Sequence, residues 1–315
     1  MPGPFLGPLT TVMKMKELFS LKAVTSPGDA TDFFDLDLPP FDPAATSAYS
    51  RGNALWLIES CRLSYREDAA SRKDYYDKKA HLEERPFSVN RTQGAVLVGS
   101  SHAILAFRGS LGFDDWLSDF DALPVQWAGV QVHQGFKKQL DDVWKGITAE
   151  LDALTVPVFF TGHSLGAALA TLAAARRFKE RPDKAPAALY TFGSPRVGVG
   201  SFKEIFPRGF LHCRIVDDLD IVPTVPPGRF LGLFGAGYHH VGVPFHIEHD
   251  RRLTRGNLGD DTEGGPFSRL FKGLGYLRKM FDRANQQAAD QAPPEIADHA
   301  PINYTVRLDK AGDPV

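Results

Sequence analysis

The stretch Val158-Phe159-Phe160-Thr161-Gly162-His163-Ser164-Leu165-Gly166-Ala167-Ala168-Leu169-Ala170 joins an apolar run to an alanine-rich one through a serine with a glycine two residues away on each side. This is the G-x-S-x-G spacing of a nucleophile carried on a sharp strand-to-helix turn. Such a turn is strained, and strand and helix meet closely there only if both flanking residues are small. The chemistry it serves is attack of the Ser164 hydroxyl on an acyl carbonyl, with the positive end of the following helix directed at the developing oxyanion. A serine at its free pKa is a weak nucleophile, so it needs a general base, and the base needs an acid to orient it. In hydrolases built on this turn the order along the chain is Ser, then Asp or Glu, then His. Asp217, Asp218 and Asp220 follow the apolar run Leu211–Val216, and His239, His240, His246, His249 and His299 come after them. Residue type alone leaves both choices open. His240 and His246 lie in a strand-like run, where a histidine is more often a satisfied core or surface residue, whereas His299 lies in a loop near the C-terminus.

The elements that must hold these groups alternate in kind. Ala95–Val98, Ala103–Phe107, Val156–Thr161, Ala188–Phe192, Leu211–Val216 and His240–Ile247 read as strands, and Phe136–Leu154 and Leu165–Phe178 read as helices. The alternation predicts an α/β protein with a mostly parallel central sheet and helices on both faces. Asp42-Pro43, a capping residue followed by proline, predicts a long helix from there to about Tyr65. The charged stretch 70–85 reads as a solvated helix face. Residues 1–40 are expected to form an arm or covering element, and 41–315 a single domain with a polar insertion at 251–297. Inside that insertion, residues 266–285 place Phe267, Leu270, Phe271, Leu274, Leu277 and Phe281 at helical spacing with Arg269, Lys272, Lys279 and Arg283 opposite. Gly273 and Gly275 weaken such a helix. It is either a surface helix packed on the domain or a movable cover that meets a lipid surface.

Composition excludes several classes of function. The 315 residues are 43% hydrophobic and 23% charged, enough for a sizeable core, and the formal net charge of −2 gives no field suited to nucleic acid. Cys61 and Cys213, the only cysteines, read as two buried free thiols. No run reaches the roughly 18 apolar residues of a membrane span. The first residues lack a charged region ahead of their apolar part, which Pro8 interrupts, so the expected location is cytoplasmic, with export by another route left open. No zinc-type Cys/His spacing, P-loop or G-x-G-x-x-G is found, so neither metal nor cofactor is expected.

Beyond the Ser164 turn, the sequence resembles the class 3 lipase family, which includes fungal triacylglycerol lipases and feruloyl esterases. Ala106-Phe107-Arg108-Gly109-Ser110 with Trp116-Leu117-Ser118-Asp119 resembles its oxyanion segment, and Val132-His133-Gln134-Gly135-Phe136 the stretch before its next helix. Tyr190-Thr191-Phe192-Gly193-Ser194-Pro195-Arg196-Val197-Gly198 is similar to its next strand. Arg214-Ile215-Val216 through Asp220-Ile221-Val222-Pro223 and Pro226-Pro227 is similar to its acid loop, and Asp298-His299 with Asn303-Tyr304 to its terminal histidine motif. The resemblance covers roughly residues 95–305. It implies an α/β-hydrolase fold, selects Asp220 as acid and His299 as base, and makes the N–H groups of Leu165 and Ser110 the oxyanion donors. Arg108 and Asp119 then read as a structural ion pair beneath that loop. The activity implied is hydrolysis of lipid esters at a lipid–water interface. An esterase acting on small or aromatic esters, or a non-catalytic lipid-binding protein on the same fold, are the alternatives. Phe113, Trp127, Phe230, Leu231, Leu233 and Phe234 are candidates to wall an acyl site.

Overall fold

A computed structural model describes residues 16–25, 32–110, 123–226, 237–257 and 292–315. An eight-stranded sheet organises them, in the order β1-β2-β3-β6-β7-β9-β11-β12. Its strands are β1 (Glu83–Val89), β2 (Thr92–Val98), β3 (Ala103–Phe107), β6 (Val158–His163), β7 (Ala188–Phe192), β9 (His212–Asp217), β11 (Val243–Ile247) and β12 (Leu253–Arg255). From β3 to β11 the pairing is parallel, while β1, β2 and β12 pair antiparallel at the two ends. A second, antiparallel sheet is formed by β4 (Pro124–Trp127), β5 (Val130–His133), β8 (Gly198–Val199) and β10 (Tyr238–His239).

Both faces of the large sheet are covered, which explains why its central strands are apolar throughout rather than alternating. Successive side chains still go to opposite sides. Leu105, Phe107, Phe160 and Leu189 join a core with α4 (Gln134–Ala153) and α5 (Leu165–Glu180). Ile104, Phe159, Tyr190 and Ile215 join another with α2 (Arg51–Ser64) and α7 (Pro301–Ala311). Two short helices, α1 (Leu21–Thr25) and α6 (Pro294–Ala297), lie in contact with each other.

Two expectations about elements need correction. The helix ending near Tyr65 starts at Arg51, not at Asp42, and Ser50 caps it by accepting from Asn53 N. Asp42 instead closes a turn on Ala44 N at 2.9 Å, and the Asn53 side chain holds its N–H and C=O at 2.8 and 2.7 Å. Aspartate caps turns as readily as helices, so local sequence does not separate the two. Charged residues 83–85 belong to β1, an edge strand, where charge blocks further pairing. The solvated helix is the shorter α3 (Ala69–Tyr75), none of whose residues is buried, followed by a π-helical turn over Tyr76–Ala80.

Cys61 and Cys213 are both buried and unpaired, as expected, and burial pushes each thiol up to about 12. Among the described residues no helix is long and apolar enough to cross a membrane. The segment 266–285 lies outside the described residues.

Candidate active site

Ser164 stands between β6 and α5 with φ 59° and ψ −129°, a left-sided conformation for a residue with a Cβ. Such a conformation costs on the order of 1–3 kcal/mol and persists only where the surroundings impose it. Here Ser164 N donates to Phe192 O at 3.0 Å, tying the turn to the end of β7, and Ser164 O accepts from Ala167 N at 2.9 Å. The flanking glycines meet a steric demand. A Cβ on Gly162 would overlap the Gly166 main chain, and one on Gly166 would overlap the carbonyl of Phe107 at the end of β3.

The end of β9 and the loop after it carry the three candidate acids, and the fold separates them. Asp220 accepts Val222 N at 2.9 Å through Oδ1, while its Oδ2 receives Tyr304 Oη at 2.6 Å and faces His299 Nδ1 at 2.8 Å. Both side chains of the His299–Asp220 pair are essentially excluded from solvent. Asp217 is the last residue of β9 and fully buried, with Arg307 Nη1 at 2.8 Å. A carboxylate at the end of a central strand has no access to water and requires that cation. Asp218 is partly exposed and faces His249 at 3.2 Å.

His299 lies in the link between α6 and α7. Asp220 Oδ2 accepts a hydrogen bond from Nδ1–H, which leaves the lone pair on Nε2. The ring is brought beside the Ser164 turn from two sides. His163, the residue before Ser164, packs against it with ring centroids 4.6 Å apart and the planes tilted by 32°. Gly193 follows the Phe192 that holds Ser164 N, and a Cβ there would fall 2.7 Å from Asp220 Oδ2 and 2.8 Å from His299 Cε1. His240, the second candidate base, is buried with Nε2 at 2.8 Å from Pro223 O, a satisfied core histidine. Leu165 opens α5, and half-buried Ser110 lies just past the end of β3, whose Phe107 abuts the first turn of that helix. Asp119, Phe113 and residues 230–234 lie outside the described residues, while Trp127 sits half-buried on β4.

Two residues of α7 hold this arrangement without having been given roles from sequence. Tyr304 bonds the acid and also receives Asp217 N at 3.1 Å. Arg307 bridges Asp217 and Asp298, each at 2.8 Å, and Asp298 in turn accepts Leu219 N at 3.2 Å. Their i, i+3 spacing behind a helix-starting Pro301 puts both on one face, a signal that was readable.

Several buried histidines are held neutral. Burial lowers His133 to about 4 and His212 to about 3, and it carries His163 and His240 well below the ordinary value. His133 also caps α4, its Nδ1 accepting Gly135 N at 3.1 Å. A histidine depressed on folding contributes stability that is complete above the unfolded pKa of about 6.5 and is lost as pH falls toward the folded value, about 1.4 kcal/mol per pH unit while the difference lasts. Asp217 and Asp298, pushed up by burial, act in the opposite sense and offset part of the loss at the acid end. The denaturant midpoint should therefore drop steadily from pH 7 to pH 5. A flat or rising midpoint over that interval would mean that these rings are not buried neutral.

Solved structures with the α/β-hydrolase fold superpose on this chain. One is a triacylglycerol lipase whose catalytic centre is formed by a serine protease triad, with TM-score 0.54 and 26% identity over 64% of this chain and 82% of that one. Residues 104–230, the stretch that carries the Ser164 turn and Asp220, match the model of the class 3 lipases. Among relatives, a lipase of Rhizomucor miehei is 34% identical over 59% of this chain and 55% of its own length. A secreted mono- and diacylglycerol lipase of Fusarium solani is 34% identical over 46% of this chain and 44% of its own. The chain thus spans about half the length of these relatives.

Proposed function

We propose that this protein is a serine carboxylic-ester hydrolase acting on lipid esters, acylglycerols foremost. The observation that carries this reading is the solvent-excluded His299–Asp220 pair, 2.8 Å apart, set beside a serine on a strained strand-to-helix turn. In this reading His299 Nε2 takes the Ser164 proton as Oγ attacks the ester carbonyl. Asp220 holds the ring and stabilises the imidazolium. The N–H groups of Leu165 and Ser110 bind the oxyanion, the Ser110 hydroxyl assisting. The alcohol departs with the proton from His299, and water, activated by the same ring, releases the acid from the acyl-enzyme. Each step uses groups of the chain itself. The lipid character of the substrate is supported by the names of the relatives, a lipase and a mono- and diacylglycerol lipase, and it places the reaction at a lipid–water interface. The secreted relative favours export by another route over a cytoplasmic location.

The test is a panel of p-nitrophenyl esters from C2 to C16 beside emulsified triacylglycerol and phosphatidylcholine vesicles. Hydrolysis of C8 and longer esters and of the emulsion is expected. Turnover confined to C2–C4 or aromatic esters would replace the lipase reading with the esterase one. No turnover on any of them would leave the non-catalytic lipid-binding reading.

A further inference from the structure

His163 occupies the variable position just ahead of the nucleophile. It is fully buried, and its two ring nitrogens have distinct partners. Nε2 lies 2.7 Å from the main-chain oxygen of His299, and Nδ1 lies 2.8 Å from the hydroxyl of Tyr65. A carbonyl oxygen only accepts, so Nε2 carries the ring proton. The neutral ring then has a bare Nδ1, and the Tyr65 hydroxyl must donate to it. The Tyr65 oxygen lies directly against the Gly109 backbone. Gly109 fits that oxygen closely: a Cβ there would overlap Tyr65 Oη and fall 2.9 Å from His163 O.

The two bonds therefore run in one direction, from Tyr65 O–H to His163 Nδ1 and from His163 Nε2–H to His299 C=O. Donors and acceptors aligned this way polarise one another. The two bonds, with the close fit of Gly109 on Tyr65 Oη, join three pieces that come from distant parts of the sequence. They are the segment after β3 that holds Ser110, the residue before Ser164, and the loop of His299. Tyr65 is the C-cap of α2 and only 2% exposed, so it sits behind the turn and out of reach of substrate.

We propose that Tyr65 is a positioning residue for the reaction. Through His163 it fixes the distance between the oxyanion segment and the backbone of the catalytic base. The proposal rests on the hydrolase reading above. A group that only aligns reacting atoms acts on turnover, because a displacement of about 1 Å costs up to about 100-fold in rate. Substrate affinity is left alone, since Tyr65 touches no substrate.

The experiment compares wild type, Tyr65→Phe, His163→Asn and the double variant on a soluble p-nitrophenyl ester. kcat and KM are measured well below each variant's Tm. Tyr65→Phe removes one oxygen, and it is expected to lower kcat by about 10- to 100-fold with KM within about twofold. His163→Asn keeps an acceptor on the Tyr65 side but drops the donor to His299 O, and it should show the same split. It carries the test alone if Tyr65→Phe does not fold. Because the bonds act as a unit, the double variant should be no slower than the slower single one. Wild-type kcat in Tyr65→Phe, whatever its Tm, overturns the proposal, and so do losses that multiply in the double variant. Wild-type protein that neither turns over esters nor reacts with a phosphonate at Ser164 fails the hydrolase reading first, and the proposal falls with it. That outcome is seen before any variant is compared.

Discussion

Ser164→Ala should abolish ester hydrolysis, with a fall in kcat on the order of 10⁶, the size seen when the nucleophile of a comparable triad is removed. The fold should survive, because the hydroxyl supports nothing in the packing: the turn is held by Ser164 N on Phe192 O and by Ala167 N on Ser164 O, both main-chain bonds. Ser164→Gly should be equally inactive, yet more stable than wild type by about 1 kcal/mol or more, because glycine adopts φ 59° without the penalty that a Cβ incurs. The pair of variants thus separates chemistry from strain. Active-site titration with a fluorophosphonate, followed by peptide mapping, should place the adduct on Ser164 in wild type and nowhere in either variant. An adduct on another serine would assign the nucleophile elsewhere.

The acid and the base should be nearly as sensitive, with unequal losses. His299→Ala should match Ser164→Ala, since neither group does the work without the other. Asp220→Asn should cost about 10⁴ in kcat. The asparagine amide can offer a donor to Nδ1, which draws the ring into the tautomer whose lone pair faces away from Ser164. Asp217→Asn separates the two aspartates. It leaves Arg307 facing a neutral group in a buried site, so its cost should fall on Tm, with kcat reduced by less than about tenfold. The reverse ranking of Asp217→Asn and Asp220→Asn in kcat would move the acid. Inactivation by His240→Ala combined with activity in His299→Ala would move the base to the residue that faces Pro223 O.

How much of this could be read without coordinates depended on how local each requirement was. The turn at Ser164 was legible because its demands fall within five residues: two glycines for close approach, an apolar strand before and small helix formers after. The central strands and the two long helices were legible from periodicity, with ends displaced by up to three residues. The helix start at Asp42 was misplaced because an aspartate before proline satisfies a turn equally well, and Asn53, eleven residues on, settled which it became. β1 was hidden by charge that suits an exposed edge.

The chain's own residues, then, determined the candidate nucleophile, the α/β alternation and the short sets of aspartates and histidines that are candidates for acid and base. The resemblance singled out Asp220, and only tertiary structure supplied the physical reason that separates it from Asp217, three residues earlier at the end of β9. One points at an imidazole brought from 79 positions away, while the other meets a guanidinium from 90 away. Tertiary structure alone gave Tyr304, Arg307, His163 and Tyr65 their partners, over separations of 84 to 136 residues. Propensity and spacing act within a few turns of backbone. A buried hydrogen bond is decided by which groups the closed sheet leaves facing one another away from water, and that exists only once the whole chain has folded.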